Sequence, residues 1–169
     1  MAICNRSLQD GAAGSLDAPR RRRRGNVTSK LEPWAPVPAG FARHFRQSPV
    51  TDAWEPLYSL KRGHVIVIGF RSDERLTNSR GFVHGGVITS LADNAMGLSC
   101  AVNLGDAASL ITVALSIDFV GTAGQARWIE ISPALLKLGT TLCFAQCLVT
   151  ADSDLCARAS ATFRVVPRR

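Results

Sequence analysis

The chain reads as a single α+β domain in which one antiparallel sheet wraps one long helix, with an extra short helix ahead of it. Three observations predict this. Segment 83–102 repeats apolar residues at Val87, Leu91, Ala95, Leu98 and Val102, and spacings of 4, 4, 3 and 4 put them on one buried helical stripe. The other apolar segments are short and β-rich, and Leu115-Ser116-Ile117-Asp118-Phe119 alternates apolar with polar, as a sheet with one covered face requires. Turn signals place two such segments before the helix and four after it, and a sheet folded over one helix buries that helix's stripe.

Residues 1–32 lack periodic apolar residues and are rich in Gly, Ala, Ser and Arg, a composition that cannot offset its ordering entropy. They are expected to form a disordered basic tail ahead of a domain at 33–166. Phe41, Phe45 and Val50, set among Pro36, Pro38 and Pro49, predict the short helix near 39–48. Strands are expected at 57–60 and 65–70, joined by a hairpin through Lys61-Arg62-Gly63-His64, and a polar loop at 71–80 leads to the long helix. After a Gly105-Asp106 turn, strands are expected near 109–119, 126–137, 140–150 and 155–166, with Gly139-Thr140 as a tight connection.

With 169 residues, 46% of them hydrophobic, the chain can bury one sizeable core but not two. No apolar run reaches the roughly 20 residues that cross a bilayer, and no secretory signal pattern opens the chain, so no membrane partner and a cytoplasmic location are expected. The net charge of +7 is concentrated at the start: residues 1–30 hold seven basic and two acidic residues, a net +5 that leaves +2 for the rest. Arg20 to Arg24 have no interleaved aromatics to stack bases, so no nucleic-acid partner is expected. The five cysteines form no Cys-x-x-Cys pair and have no histidines at ligand spacing; they read as small buried hydrophobes, with no metal and no cofactor expected.

The chemistry concentrates between Asn78 and Asn94. Gly85 and Gly86 open the long helix, where four backbone N–H groups lack intrahelical acceptors, and a carbonyl oxygen gaining negative charge could be held there. Asp93, a poor helix former in an apolar stretch, projects within roughly 20° of Gly86, 40° of Thr89 and Gly97, and 60° of Ser90. This small, polar stripe leaves room for a ligand, with Gly86 and Ser90 as candidate substrate contacts. Asp93 lies eight residues beyond Gly85, about 12 Å along the helix axis, too far for both to act on one carbonyl within one chain. A catalytic role for both therefore requires the antiparallel helices of two subunits across a two-fold interface.

Asn78, His84-Gly85-Gly86 and Asp93, on this order of strands and helix, resemble the signature of hotdog-fold acyl-CoA thioesterases of the phenylacetate-pathway type, over roughly residues 50–166. The resemblance implies a hotdog fold, an acyl-CoA substrate, and a homodimer that pairs into a homotetramer. It also implies site roles. Asp93 would be the general base for water, or the nucleophile; Gly85 would donate its N–H to the thioester oxygen; Asn78 would position water or thioester; His84 would orient the loop; and Thr112, early in the strand after the helix, would assist Asp93. Two other readings stay open: a hydratase or dehydratase on the same fold, and a non-catalytic acyl-CoA sensor. Trp34, Phe41, Phe45, Trp54 and Phe82 are candidates for the acyl tunnel, and Arg62, Arg80 or Lys137 for the CoA phosphates.

Overall fold

A computed structural model describes residues 36–105 and 108–167. The expected tail at 1–32, with Trp34, lies outside them. Strands β1 (Ala42–Arg43), β2 (Leu57–Arg62) and β3 (Val65–Arg71) precede the helix α1 (Gly85–Leu104), and β4 (Ala108–Phe119), β5 (Trp128–Leu138), β6 (Leu142–Ala151) and β7 (Asp154–Pro167) follow it. The strands form one antiparallel seven-stranded sheet in the order β1-β2-β3-β5-β6-β7-β4. Strands β2 and β3 before the helix and the four after it match the patterns read from the sequence, with ends moved by one or two residues; β1 was not expected.

Arg62 faces Val65 across the two-residue Gly63-His64 turn, which fixes the β2–β3 register, and β3 then pairs Ile68 with Ile131 and Phe70 with Ile129. These four side chains are fully buried and form the floor on which Leu91, Ala92, Ala95 and Met96 of α1 rest. Full burial of a residue such as Leu91 contributes about 2 kcal/mol. Ser99 sets the rotation of the helix. Its buried hydroxyl donates to the Ala95 carbonyl at 2.7 Å and accepts the Ile66 N–H of β3 at 2.9 Å. Asn103 donates to the His64 carbonyl at 2.7 Å, tying the helix end to the β2–β3 turn. Val102, expected in the buried stripe, is 46% exposed because its turn faces away from the sheet.

The extra helix expected near 39–48 does not form. Ala42 and Arg43 instead pair with Ser59 and Tyr58, and the His44 N–H donates to the Leu57 carbonyl at 2.9 Å. Pro38 and Pro49 leave too few residues between them for a stable helix, and the open edge of β2 supplies backbone partners. A single 3₁₀ turn at Asp52–Trp54 follows. At the other end of the sheet, among the described residues β4 pairs only with β7 and its other edge is open; Ile111 and Val113 on it are 55% and 60% exposed. A long apolar edge of this kind is a template for pairing with another strand.

Candidate active site

The rotation imposed by Ser99 turns Thr89, Ser90, Asp93, Asn94 and Gly97 away from the sheet into a cleft of about 1130 Å³. The cleft is bounded by β4 on one side and by the turn at 45–51 on the other. Thr112, one residue before a register shift in β4, donates its hydroxyl to Asp93 Oδ1 at 2.9 Å. Asp93 is half-buried, and this desolvation raises its pKa above the ordinary carboxylate value, with the Thr112 hydrogen bond pulling partly back. Ser90 lines the same cleft, but its hydroxyl donates to the Gly86 carbonyl at 2.9 Å, as Thr89 does to Gly85 at 2.8 Å. Each keeps an oxygen lone pair for a ligand.

A second cluster stands at the helix start. His84 is the N-cap: its Nδ1 accepts the Gly86 N–H at 2.9 Å, which places the ring proton of the neutral imidazole on Nε2. The Val87 N–H donates to the His84 carbonyl at 3.0 Å, whereas the Gly85 N–H has no acceptor among the described residues. Both glycines are needed for close approach. A Cβ at Gly86 would stand 3.0 Å from His84 Nδ1, and one at Gly85 would stand 3.0 Å from the Phe119 ring. Gly86, expected to contact substrate, thus has its N–H committed to the cap. Asn78 holds the preceding turn: its side-chain oxygen accepts the Arg80 N–H at 2.9 Å and the Phe82 N–H at 3.3 Å, so its amide nitrogen is the group left to donate elsewhere. Arg80 and Phe82 are exposed on that turn.

One chain therefore holds the candidate residues in two groups. Asp93, Thr112 and Ser90 meet in the cleft; Asn78, Arg80, Phe82, His84, Gly85 and Gly86 gather at the helix start, about 12 Å away along α1. Of the aromatic candidates, Phe45 lines the cleft, Phe41 rests edge-on against Trp128 with centroids 5.1 Å apart, and Trp54 packs on the core. Arg62 is paired with Glu130 at 3.1 Å, and Lys137 is exposed on β5. The sequence reading missed the turn at 46–51 and Phe163 as cleft walls. They are distant in sequence from α1 and carry no local pattern of a site.

Cys100, Cys143, Cys147 and Cys156 are buried and unbridged, and burial pushes the Cys100 and Cys147 thiols up to about 12. Among the described residues, no helix is long and apolar enough to cross a membrane.

Residues 80–157 match the thioesterase superfamily. A provisionally named esterase of Pseudomonas aeruginosa is 33% identical over 130 residues, covering 76% of this chain and 97% of that protein. A hypothetical thioesterase of Streptococcus pneumoniae, crystallised with coenzyme A, superimposes with a TM-score of 0.62 at 22% identity, over 76% of this chain and 98% of that one. Zebrafish thioesterase superfamily member 2 superimposes with a TM-score of 0.60 at 26% identity, over 64% and 80% of the two chains.

Proposed function

The chain belongs to the thioesterase superfamily, and we propose that it hydrolyses acyl-CoA thioesters at a site shared by two copies, Asp93 from one and Gly85 from the other. The observation that carries this reading is the placement of the two half-sites at opposite ends of one open strand. Thr112 holds Asp93 near the start of β4, and Phe119 covers Gly85 at its end. Antiparallel pairing of β4 with its copy, with the two-fold near residues 115 and 116, sets residue 112 of one chain opposite residue 119 of the other. Each Asp93 then comes beside the second copy's Gly85, and the exposed Ile111 and Val113 are covered. The bound coenzyme A of the Streptococcus pneumoniae relative supports a CoA thioester as substrate. The Asn78, His84-Gly85-Gly86, Asp93 spacing supports the phenylacetate-pathway type.

In this reading the Asp93 carboxylate takes a proton from water as the water oxygen attacks the thioester carbon. The carbonyl oxygen gains negative charge and is held by the Gly85 N–H at the positive end of α1, where a preorganised donor acts without reorganising. His84 Nε2–H and the Asn78 amide are the further donors at that end. Collapse of the tetrahedral intermediate breaks the C–S bond, and the CoA thiolate leaves and takes up a proton, returning Asp93 to the carboxylate as the acid departs. Burial suits Asp93 to this task, because a raised pKa makes it a stronger base.

The test is CoA release, followed with a thiol-reactive dye, from a panel of acyl-CoA thioesters by wild type and by Asp93→Asn. Release by wild type and its loss in a folded variant is the expected result. No release from any thioester by wild type, or full release by Asp93→Asn, would overturn the reading.

A further inference from the structure

The cleft continues past Asp93 along α1, and its character changes there. Beyond Asn94 it is lined by Gly97, Ala101 and Val102, by Leu110 and Phe163, and by the turn at 45–51, where Val50 stands among polar residues that include Arg46. Val50 is 65% exposed and Phe45, which also lines the cleft, is 63% exposed, although both are large and apolar. Their turn is held in place: Thr51 is buried, and its N–H and hydroxyl both donate to the Ser48 carbonyl, at 2.8 and 3.1 Å. The exposed apolar side chains therefore face this trough from a fixed support.

In the proposed dimer this stretch lies beyond the overlap of the two helices. If Gly85 of one copy meets Asp93 of the other, the antiparallel helices overlap over residues 85–93, and residues 94–104 run past the start of the second helix. From Asp93 to Val102 the floor extends about 13 Å at roughly 1.5 Å per residue. An extended alkyl chain of C–C bonds near 1.5 Å advances about 1.3 Å per carbon, so about ten carbons fill it. Gly105 and Ser109, beyond Val102 in the chain, also line the cleft.

Gly97 lines the cleft where α1 passes Phe163. A Cβ there would stand 3.3 Å from Phe163 Cε1 and 3.7 Å from Cζ, so any larger side chain is denied the Phe163 side and must extend into the trough. Glycine is otherwise a poor choice inside a helix of 20 residues.

We infer that the trough from Asp93 to Val102 is the acyl channel, that it takes straight acyl chains of medium length, and that Gly97 and Val50 set how much chain it admits. The inference rests on the thioesterase reading above and adds its substrate class. A purely structural role for Gly97 lowers all rates together, whereas a channel role lowers them according to chain length.

The experiment measures kcat/KM for CoA release from straight-chain thioesters between acetyl-CoA and palmitoyl-CoA, with wild type, Gly97→Val and Val50→Trp. Wild type is expected to peak near decanoyl-CoA. Each variant is expected to lose about tenfold or more on decanoyl-CoA relative to butyryl-CoA, with its optimum moved to shorter chains. Val50 lies on an exposed turn, so Val50→Trp decides the matter if Gly97→Val does not fold. A wild-type rate that rises unbroken to palmitoyl-CoA, or a profile the folded variants leave unchanged, overturns the channel and leaves the thioesterase reading standing. No CoA release at any chain length by wild type removes both.

Discussion

Thr112 on β4 donates its hydroxyl hydrogen to Asp93 on α1 across 2.9 Å, so the open edge of the sheet and the outward face of the helix meet in one hydrogen bond. That bond stabilises the carboxylate and opposes burial, which favours the neutral acid. Thr112→Val removes the opposing effect and raises the Asp93 pKa further. In the proposed mechanism the carboxylate is the active form, so the acid limb of kcat/KM against pH should lie above the ordinary carboxyl range near about 4 in wild type and move higher in the variant. An acid limb that stays in place would show that another group controls it.

Asp93→Asn should separate function from stability. CoA release should fall by about a thousandfold, the scale of losing a general base. A carboxyl whose pKa is higher folded than unfolded stabilises the fold below its unfolded pKa and loses that contribution as pH rises through its folded pKa. At neutral pH wild type therefore carries a half-buried carboxylate that Asn lacks. The variant should melt at or above the wild-type temperature at pH 7, with the difference closing in acid; differential scanning calorimetry across pH measures this.

Gly85→Pro tests the backbone donor itself. Proline lacks the N–H, yet suits the first position of a helix, and His84 at φ −64° and ψ 132° already has the extended conformation that precedes proline. The Phe119 ring must move by a few tenths of an ångström. CoA release should fall about a hundredfold or more with the helix intact by circular dichroism. Mixing this variant with Asp93→Asn should restore activity, because a mixed dimer with a shared site holds one intact copy of the machinery. Mixtures that stay inactive despite subunit exchange would place Asp93 and Gly85 in one chain's site instead.

His84→Ala removes the cap and leaves the Gly86 N–H without its acceptor, at a cost of about 1 kcal/mol. Thermal unfolding should show a fall in Tm of about 3 °C. His84→Asn can still accept that hydrogen and should recover the Tm. If His84 also acts on the thioester through Nε2, CoA release should remain low in both variants.

Local pattern made much of this legible. The spacing from Val87 to Leu98 marks the helix and its buried side, the alternation from Leu115 to Phe119 marks a strand, and the same helical geometry places Asp93 opposite the core and about 12 Å from Gly85. Where pattern was ambiguous it misled. Phe41, Phe45 and Val50 suggested a helix between prolines, but the free edge of β2 offered Ala42 and Arg43 backbone partners that a short isolated helix could not match.

By itself, then, the sequence determined the order of elements from β2 onward, the amphipathic helix, and the carboxylate and glycines it carries, because each depends on residues within a few positions of one another. Only the tertiary structure decided that β4 lies at the edge beside β7, that Thr112 reaches Asp93, that the Asn78 oxygen and the Gly86 N–H are committed to local turns, and that Val50 and Phe163 wall one cleft. Strand register and helix rotation set those contacts. Both follow from packing summed over the whole core, through groups such as Ser99 and Ile66 that lie 33 residues apart, and no local periodicity encodes that sum.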